Sequence, residues 1–130
     1  MAVGLAAATA NSLLNAIYNQ TNYTAPTAIW VQLHVGDPGP AGTSNVATET
    51  TRKDITSSFS SASGGAVTND VAITWTGVVG TEDFQFWSLW SASSAGTFYQ
   101  SGVITANAVT TGDTFTILAG DFDVSLTTAA

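Results

Sequence analysis

Residues 28–52 read AIWVQLHVGDPGPAGTSNVATETTR, and the change of character part-way along this stretch decides the fold. Ile29, Val31, Leu33 and Val35 alternate with Trp30, Gln32 and His34, the period-two pattern of a strand with one apolar and one mixed face. From Gly36 the chain turns into Gly-Asp-Pro-Gly-Pro-Ala-Gly, which holds two of its three prolines. Glycine admits positive φ and proline holds φ at about −65°, so 36–52 is expected as a long, shaped loop. It closes on Glu49, Arg52 and Lys53, and those last two are the only cationic side chains of the protein.

On the C-terminal side the pattern is a succession of short strands. Ile55 to Phe59 is expected as a strand, followed by the turn SSASGG at 60–65. Val71, Ile73 and Trp75 alternate with Ala72, Thr74 and Thr76, as in a half-buried strand. Phe84, Phe86, Ser88 and Trp90 alternate with Gln85, Trp87, Leu89 and Ser91. Both faces are heavy, so this strand is expected at the centre, covered on two sides. Thr97 to Val103 follows, then Gly112-Asp113, a strand from Phe115 and Ile117, and a last strand with Phe122, Val124 and Leu126 toward the core. On the N-terminal side, Val3, Ala6, Ala10, Leu13 and Ile17 fall at spacings of three and four, which predicts a helix within 1–19. The expected fold is mainly β: one antiparallel sandwich over 27–127, jelly-roll-like with about eight strands, plus one N-terminal helix. The 130 residues fit one domain.

Composition narrows the function. Charged residues make up only 8% and the net charge is −7, so a phosphate-binding surface and hence a nucleic-acid role are not expected. With no cysteine there is no thiolate chemistry and no disulfide. The apolar N-terminal run lacks a basic start and is broken by Asn11, Ser12 and Asn15, so neither a secretory signal nor a membrane span is expected.

The titratable residues offer little chemistry. His34 is a candidate general base three residues before Asp37, but no G-x-S-x-G elbow accompanies it; a hydrogen-bonded histidine at a strand edge or subunit contact is the alternative. Glu82 and Asp83 are adjacent and point to opposite faces of a strand. Asp121 and Asp123 share a face and could hold calcium with turn carbonyls, yet no D-x-[DN]-x-[DN]-G loop supports them against solvated turn acids. The aromatic group Trp75, Phe84, Phe86, Trp87, Trp90, Phe98 and Tyr99 reads as core or as a sugar-stacking platform. Trp30 and Trp87 are the better candidates for an interface or ligand. No cofactor and no metal are expected.

Several segments carry a resemblance: an alanine-rich helix running into YTAPTA at 23–28, LHVGDPGPAGTSN at 33–45 and ETTR at 49–52. With them go GGAVTND-VAITWT at 64–76, the Phe/Trp-rich strand and TTGDTFTILAGDFDVSL at 110–126. The chain resembles a family of small virion proteins of tailed bacteriophages, especially those of actinobacteria, whose members are called capsid decoration, minor capsid or tail-fibre proteins. Nearly the whole chain takes part, and Leu33 to Arg52 is its most specific segment. The resemblance implies a non-enzymatic virion protein, made in the host cytoplasm without a signal peptide. A capsid decoration protein that binds and stabilises the outside of the head shell is expected. The alternative is a minor tail or tail-fibre component in host attachment, with a carbohydrate-binding surface.

A compact unit without stalk or repeat suits decoration, and symmetric oligomers multiply contacts, so a homo-oligomer, with a trimer favoured, is expected beside the major capsid protein or other virion subunits. The expected contact surface combines loop and helix: Asp37, Pro38, Pro40, Glu49, Arg52 and Lys53, with Trp30, Leu13 and Ile17. Two prolines stiffen the start of the loop, and the only two cations flank its end.

Overall fold

The computed structural model describes residues 3–130. One helix, α1 (Ala7–Tyr18), precedes eight strands: β1 (Trp30–His34), β2 (Lys53–Asp54), β3 (Ala66–Thr68), β4 (Ile73–Trp75), β5 (Glu82–Trp90), β6 (Phe98–Val109), β7 (Phe115–Ile117) and β8 (Asp123–Ser125). The main sheet has the order β2-β1-β5-β6, and the two short ladders β3-β8 and β4-β7 complete the arrangement. Every pairing is antiparallel. The expected mainly β, sandwich-like fold with an N-terminal helix is what forms.

One core lies between the main sheet and the short ladders. Val31 and Leu33 of β1, Phe84, Trp87 and Leu89 of β5, Ile73 and Trp75 of β4, and Phe115 and Ile117 of β7 meet there with Ile55, Val78 and Phe122. The rings of Phe84 and Phe115 stand 5.0 Å apart, and those of Trp87 and Phe122 stand 4.6 Å apart. Strict alternation puts Phe84 and Trp87 on opposite faces. A register shift against β6 between Phe84 and Phe86 rotates the strand, so both reach the same core. Gly102 of β6, opposite Trp87, leaves room for its ring, which any Cβ there would strike.

The other face of β1 and β5 is also covered. It carries Gln32 and His34 beside Phe86, Ser88 and Trp90, all buried, and the 36–52 loop and the 91–97 turn lie against it. Gly42 of the loop, at φ +71°, sits so close to Phe98 that an added Cβ would meet the ring at 2.6 Å. The two-sided burial expected of the strand around Phe86 therefore holds.

Four expectations about side chains or strands change. Ile55–Phe59 is not a strand: after the two-residue β2, the Asp54 carboxylate accepts the Thr56 N–H at 2.9 Å and Ser57 takes φ 59°, which turns the chain. Leu126 does not face the core but is 55% exposed, because β8 ends at Ser125. Val35 and Val71 lie outside their strands and are exposed as well. Trp87 is no surface residue; it is 4% exposed, since it pairs opposite Leu33 of β1 on the face that packs against Phe122.

Candidate functional site

Three of the buried polar side chains, Gln32, His34 and Ser88, share the loop-covered face of the main sheet. Cross-strand pairing sets Gln32 opposite Ser88 and His34 opposite Phe86, so Ser88 lies one diagonal step from His34 on the same face. The Ser44 carbonyl, at 2.8 Å from His34 Nδ1, can only accept, so Nδ1 carries the proton. Nε2 then accepts from the Ser88 hydroxyl at 2.7 Å. Ser88 Oγ in turn accepts from Trp90 Nε1 at 2.7 Å. Every donor in this relay has an acceptor, and both His34 and Ser88 are wholly buried. Burial is the main reason the His34 pKa is lowered; the nearby Arg52 charge lowers it too, while the Ser44 carbonyl opposes both.

A serine hydrogen-bonded to a histidine has the form of a nucleophile and its base. Here its third member is a backbone carbonyl rather than a carboxylate, the hydroxyl also holds the Trp90 indole, and no substrate reaches a fully buried pair. The arrangement fastens the loop to the sheet. The one sign of it in the sequence was Ser88, a lone hydroxyl in an aromatic run, and Ser44 gave none.

Arg52 is the second anchor. Its Nε donates to Gln32 Oε1 at 3.1 Å, and Nη1 donates to the carbonyls of Ala92 and Ala95, both at 2.8 Å. Its guanidinium carbon stands 4.2 Å from the centre of the Trp90 ring. Desolvation by partial burial lowers its pKa. The cation expected to reach out to a partner thus binds β1, the 91–97 turn and the Trp90 face. It is not paired with Glu49, whose Oε1 accepts the Thr51 N–H at 3.1 Å.

The rest of the loop is similarly self-contained. Asp37 Oδ1 accepts from Gly39 N, Asn45 Nδ2 donates to Asp37 O, and Ser44 N donates to Pro38 O. At its far end the Glu82 carboxylate accepts the amides of Thr48 and Glu49, and Trp75 Nε1 donates to Thr51 O. Such a loop, closed between His34 and Val46 and packed by its own bonds, is an Ω-loop.

The residues of the expected contact surface are therefore spread out. Pro38 and Glu49 are buried, Asp37, Arg52, Lys53 and Trp30 are partly covered, and Pro40 is exposed. Lys53 sits on β2, at one edge of the main sheet, whereas α1, with half-buried Leu13 and exposed Ile17, rests against β6 at the other.

Asp121 and Asp123 are exposed on the rim of a cleft of about 590 Å³ between β6 and the β7–β8 turn, floored by Ile104, Phe115 and Ile117. No group of three potential metal ligands forms among the described residues. Glu82 binds the loop amides, and Gln85 donates to Asp83 at 3.3 Å. A further buried polar hub escaped sequence reasoning: Asn69 donates to the carbonyls of Val71 and Leu118 and accepts the amides of Gly120 and Phe122.

Residues 4–125 match the family model described as Podophage GP4 fiber I protein gp80. The chain belongs to that family. The match runs from before α1 through β8, so it takes in helix, loop and all eight strands. No curated protein matches the chain. As a member of a phage fibre protein family it is a virion structural protein, in agreement with the class its sequence resembles. No helix among the described residues is long and apolar enough to cross a membrane.

Proposed function

We propose that this protein is a non-enzymatic subunit of a phage fibre, placed on the tail and held there by neighbouring fibre or tail subunits. The observation that carries the reading is the match, over nearly the whole chain, to a family described as a podophage fibre protein. The buried polar chemistry agrees with it. The Ser88–His34 relay and the Arg52 clamp are spent on fixing the loop and turn to the sheet, which makes a stiff unit and keeps the Ser88–His34 pair away from the surface. Stiffness suits a subunit whose task is to transmit contacts, because little ordering entropy is lost when it assembles.

Localisation on intact particles tests this against decoration of the head. Electron cryo-microscopy, with an antibody fragment against this chain as a marker, should place it on the tail, with a copy number set by the tail's rotational symmetry. Density repeating over the lattice of the head shell would overturn the fibre reading in favour of a decoration protein.

A further inference from the structure

β6 is the outer strand of the main sheet, and its outer edge is only half covered. Residues 4–6 lie against its first part as an extended segment. Ala6 N donates to Tyr99 O and Ser101 N to Gly4 O, both at 2.8 Å, around the bridge of Leu5 to Gln100. Beyond Ser101 no strand follows on that side among the described residues. There the ladder with β5 also breaks. Phe86 pairs with Val103 and Phe84 with Asn107, so Ile104, Thr105 and Ala106 stand opposite Gln85 alone. Such a bulge leaves backbone N–H and C=O groups without ladder partners.

β7 presents a second open edge. It follows β6 through the turn at 110–113, an arrangement that ordinarily closes a hairpin, yet it pairs with β4 and not with β6. The cleft of about 590 Å³ lies between the two strands and runs into a hollow of about 210 Å³ beside Val103. It touches 104–107 and 115–117, consecutive residues of strands whose side chains alternate, so it meets both backbones edge-on. An uncovered edge is normally guarded by charge or proline. β6, FYQSGVITANAV, contains neither, and Val103 on it is 61% exposed.

The chemistry of the cleft selects its occupant. Two facing strand edges fit an extended polypeptide, whose own N–H and C=O groups repeat at the same spacing. The exposed carboxylates of Asp121 and Asp123 stand on the rim, and no cation lines the cleft. A second copy of this chain is poorly suited, because it carries a net charge of −7 and one of its two cations, Arg52, is bound within its own fold. We propose that the β6–β7 cleft takes an extended, basic segment of a different protein by β-strand addition. The segment continues the line of residues 4–6 along β6, rests alternate apolar side chains on Ile104, Phe115 and Ile117, and sets Lys or Arg against Asp121 and Asp123. The docking does not depend on whether the protein sits on tail or head.

A displayed library of random peptides of about seven residues, enough to span roughly 24 Å as a strand, tests the proposal when selected on the immobilised full chain. Selected sequences should alternate β-branched residues with Lys or Arg, and the bound peptide should slow amide exchange within 104–107 and 115–117. Asp121→Asn/Asp123→Asn should weaken binding by about fivefold to tenfold at low ionic strength and far less in high salt. Thr105→Pro removes an edge N–H at an exposed position and should weaken binding by about tenfold or more, with near-ultraviolet circular dichroism unchanged. Should that variant lose its spectrum, the aspartate variant carries the test, and binding equal to the wild type's at low salt overturns the proposal. A selection that yields no basic, alternating sequence, a binder that protects other amides, or a folded Thr105→Pro chain that binds as the wild type does also overturns it.

Discussion

Replacing Arg52 with alanine separates an internal clamp from a partner contact. The substitution removes three hydrogen bonds, to Gln32 Oε1, Ala92 O and Ala95 O, and the stack on Trp90. Hydrogen bonds from a charged donor contribute about 1.5–3 kcal/mol when well buried, but this guanidinium is partly solvated and two of its bonds share one nitrogen. About 0.5–1 kcal/mol for each bond and a similar amount for the stack is the appropriate scale, a loss of roughly 2–4 kcal/mol in all. The freed carbonyl of Ala95 is exposed and regains water, so no penalty for a buried, unpaired acceptor is added there. Arg52→Lys keeps the charge but not the planar fork, and should recover no more than about a third of the loss. Urea unfolding, with the slope checked for constancy, measures the change. Amide exchange should quicken at Ser91 and Thr97, which close the turn through Ser91 N to Thr97 O and Thr97 N to Ser91 Oγ. A stability change under about 0.5 kcal/mol with unaltered exchange would refute the clamp. If incorporation into virions were lost at the same time, Arg52 would return to the contact surface.

Three further outcomes follow from the buried side chains. Burial lowers the His34 pKa from 6.5, so the folded chain holds that proton less tightly than the unfolded one. Its contribution to stability is therefore present above pH 6.5 and lost as the pH falls below it, with a slope of up to about 1.4 kcal/mol per pH unit. Urea midpoints between neutral and mildly acidic pH should show this fall in the wild type and lose most of it in His34→Gln; parallel curves would contradict it. Asn69→Ala leaves two partly buried carbonyls and the buried Phe122 amide without their side-chain partner and should cost roughly 2–3 kcal/mol by chemical denaturation, above an ordinary surface substitution. Trp75, 1% exposed and packed on Phe115, should cost about 3–5 kcal/mol on truncation to alanine; a melting temperature within a degree or two of the wild type would show that the core does not close there.

Local pattern alone determined the class of fold. Alternation at Ile73 and Trp75, aromatic weight on both faces of Phe84–Trp90, the glycine turns and the helix spacing from Val3 to Ile17 are short-range signals, and each corresponds to an element present in the structure, although the helix begins only at Ala7 and leaves Val3 and Ala6 outside it. The loop start at Gly36-Asp37-Pro38 was legible for the same reason, since glycine and proline act on their own backbone. What only tertiary structure decided is which side each residue faces and which distant residue it meets. A register shift between Phe84 and Phe86 cannot be read from either strand by itself, yet it brings Phe84 into the core beside Trp87, whose own place there follows from its pairing with Leu33. His34 finds its serine 54 positions away, and Arg52 finds its carbonyls 40 and 43 positions away, through pairings that exist only once the sheet has formed. The short strand at Ile55–Phe59 failed because five residues carry too little pattern to outweigh one carboxylate that captures the next turn's amide. Periodicity reports the neighbours along the chain; the partners of a buried polar group are set by the fold, and desolvation makes them obligatory once it forms.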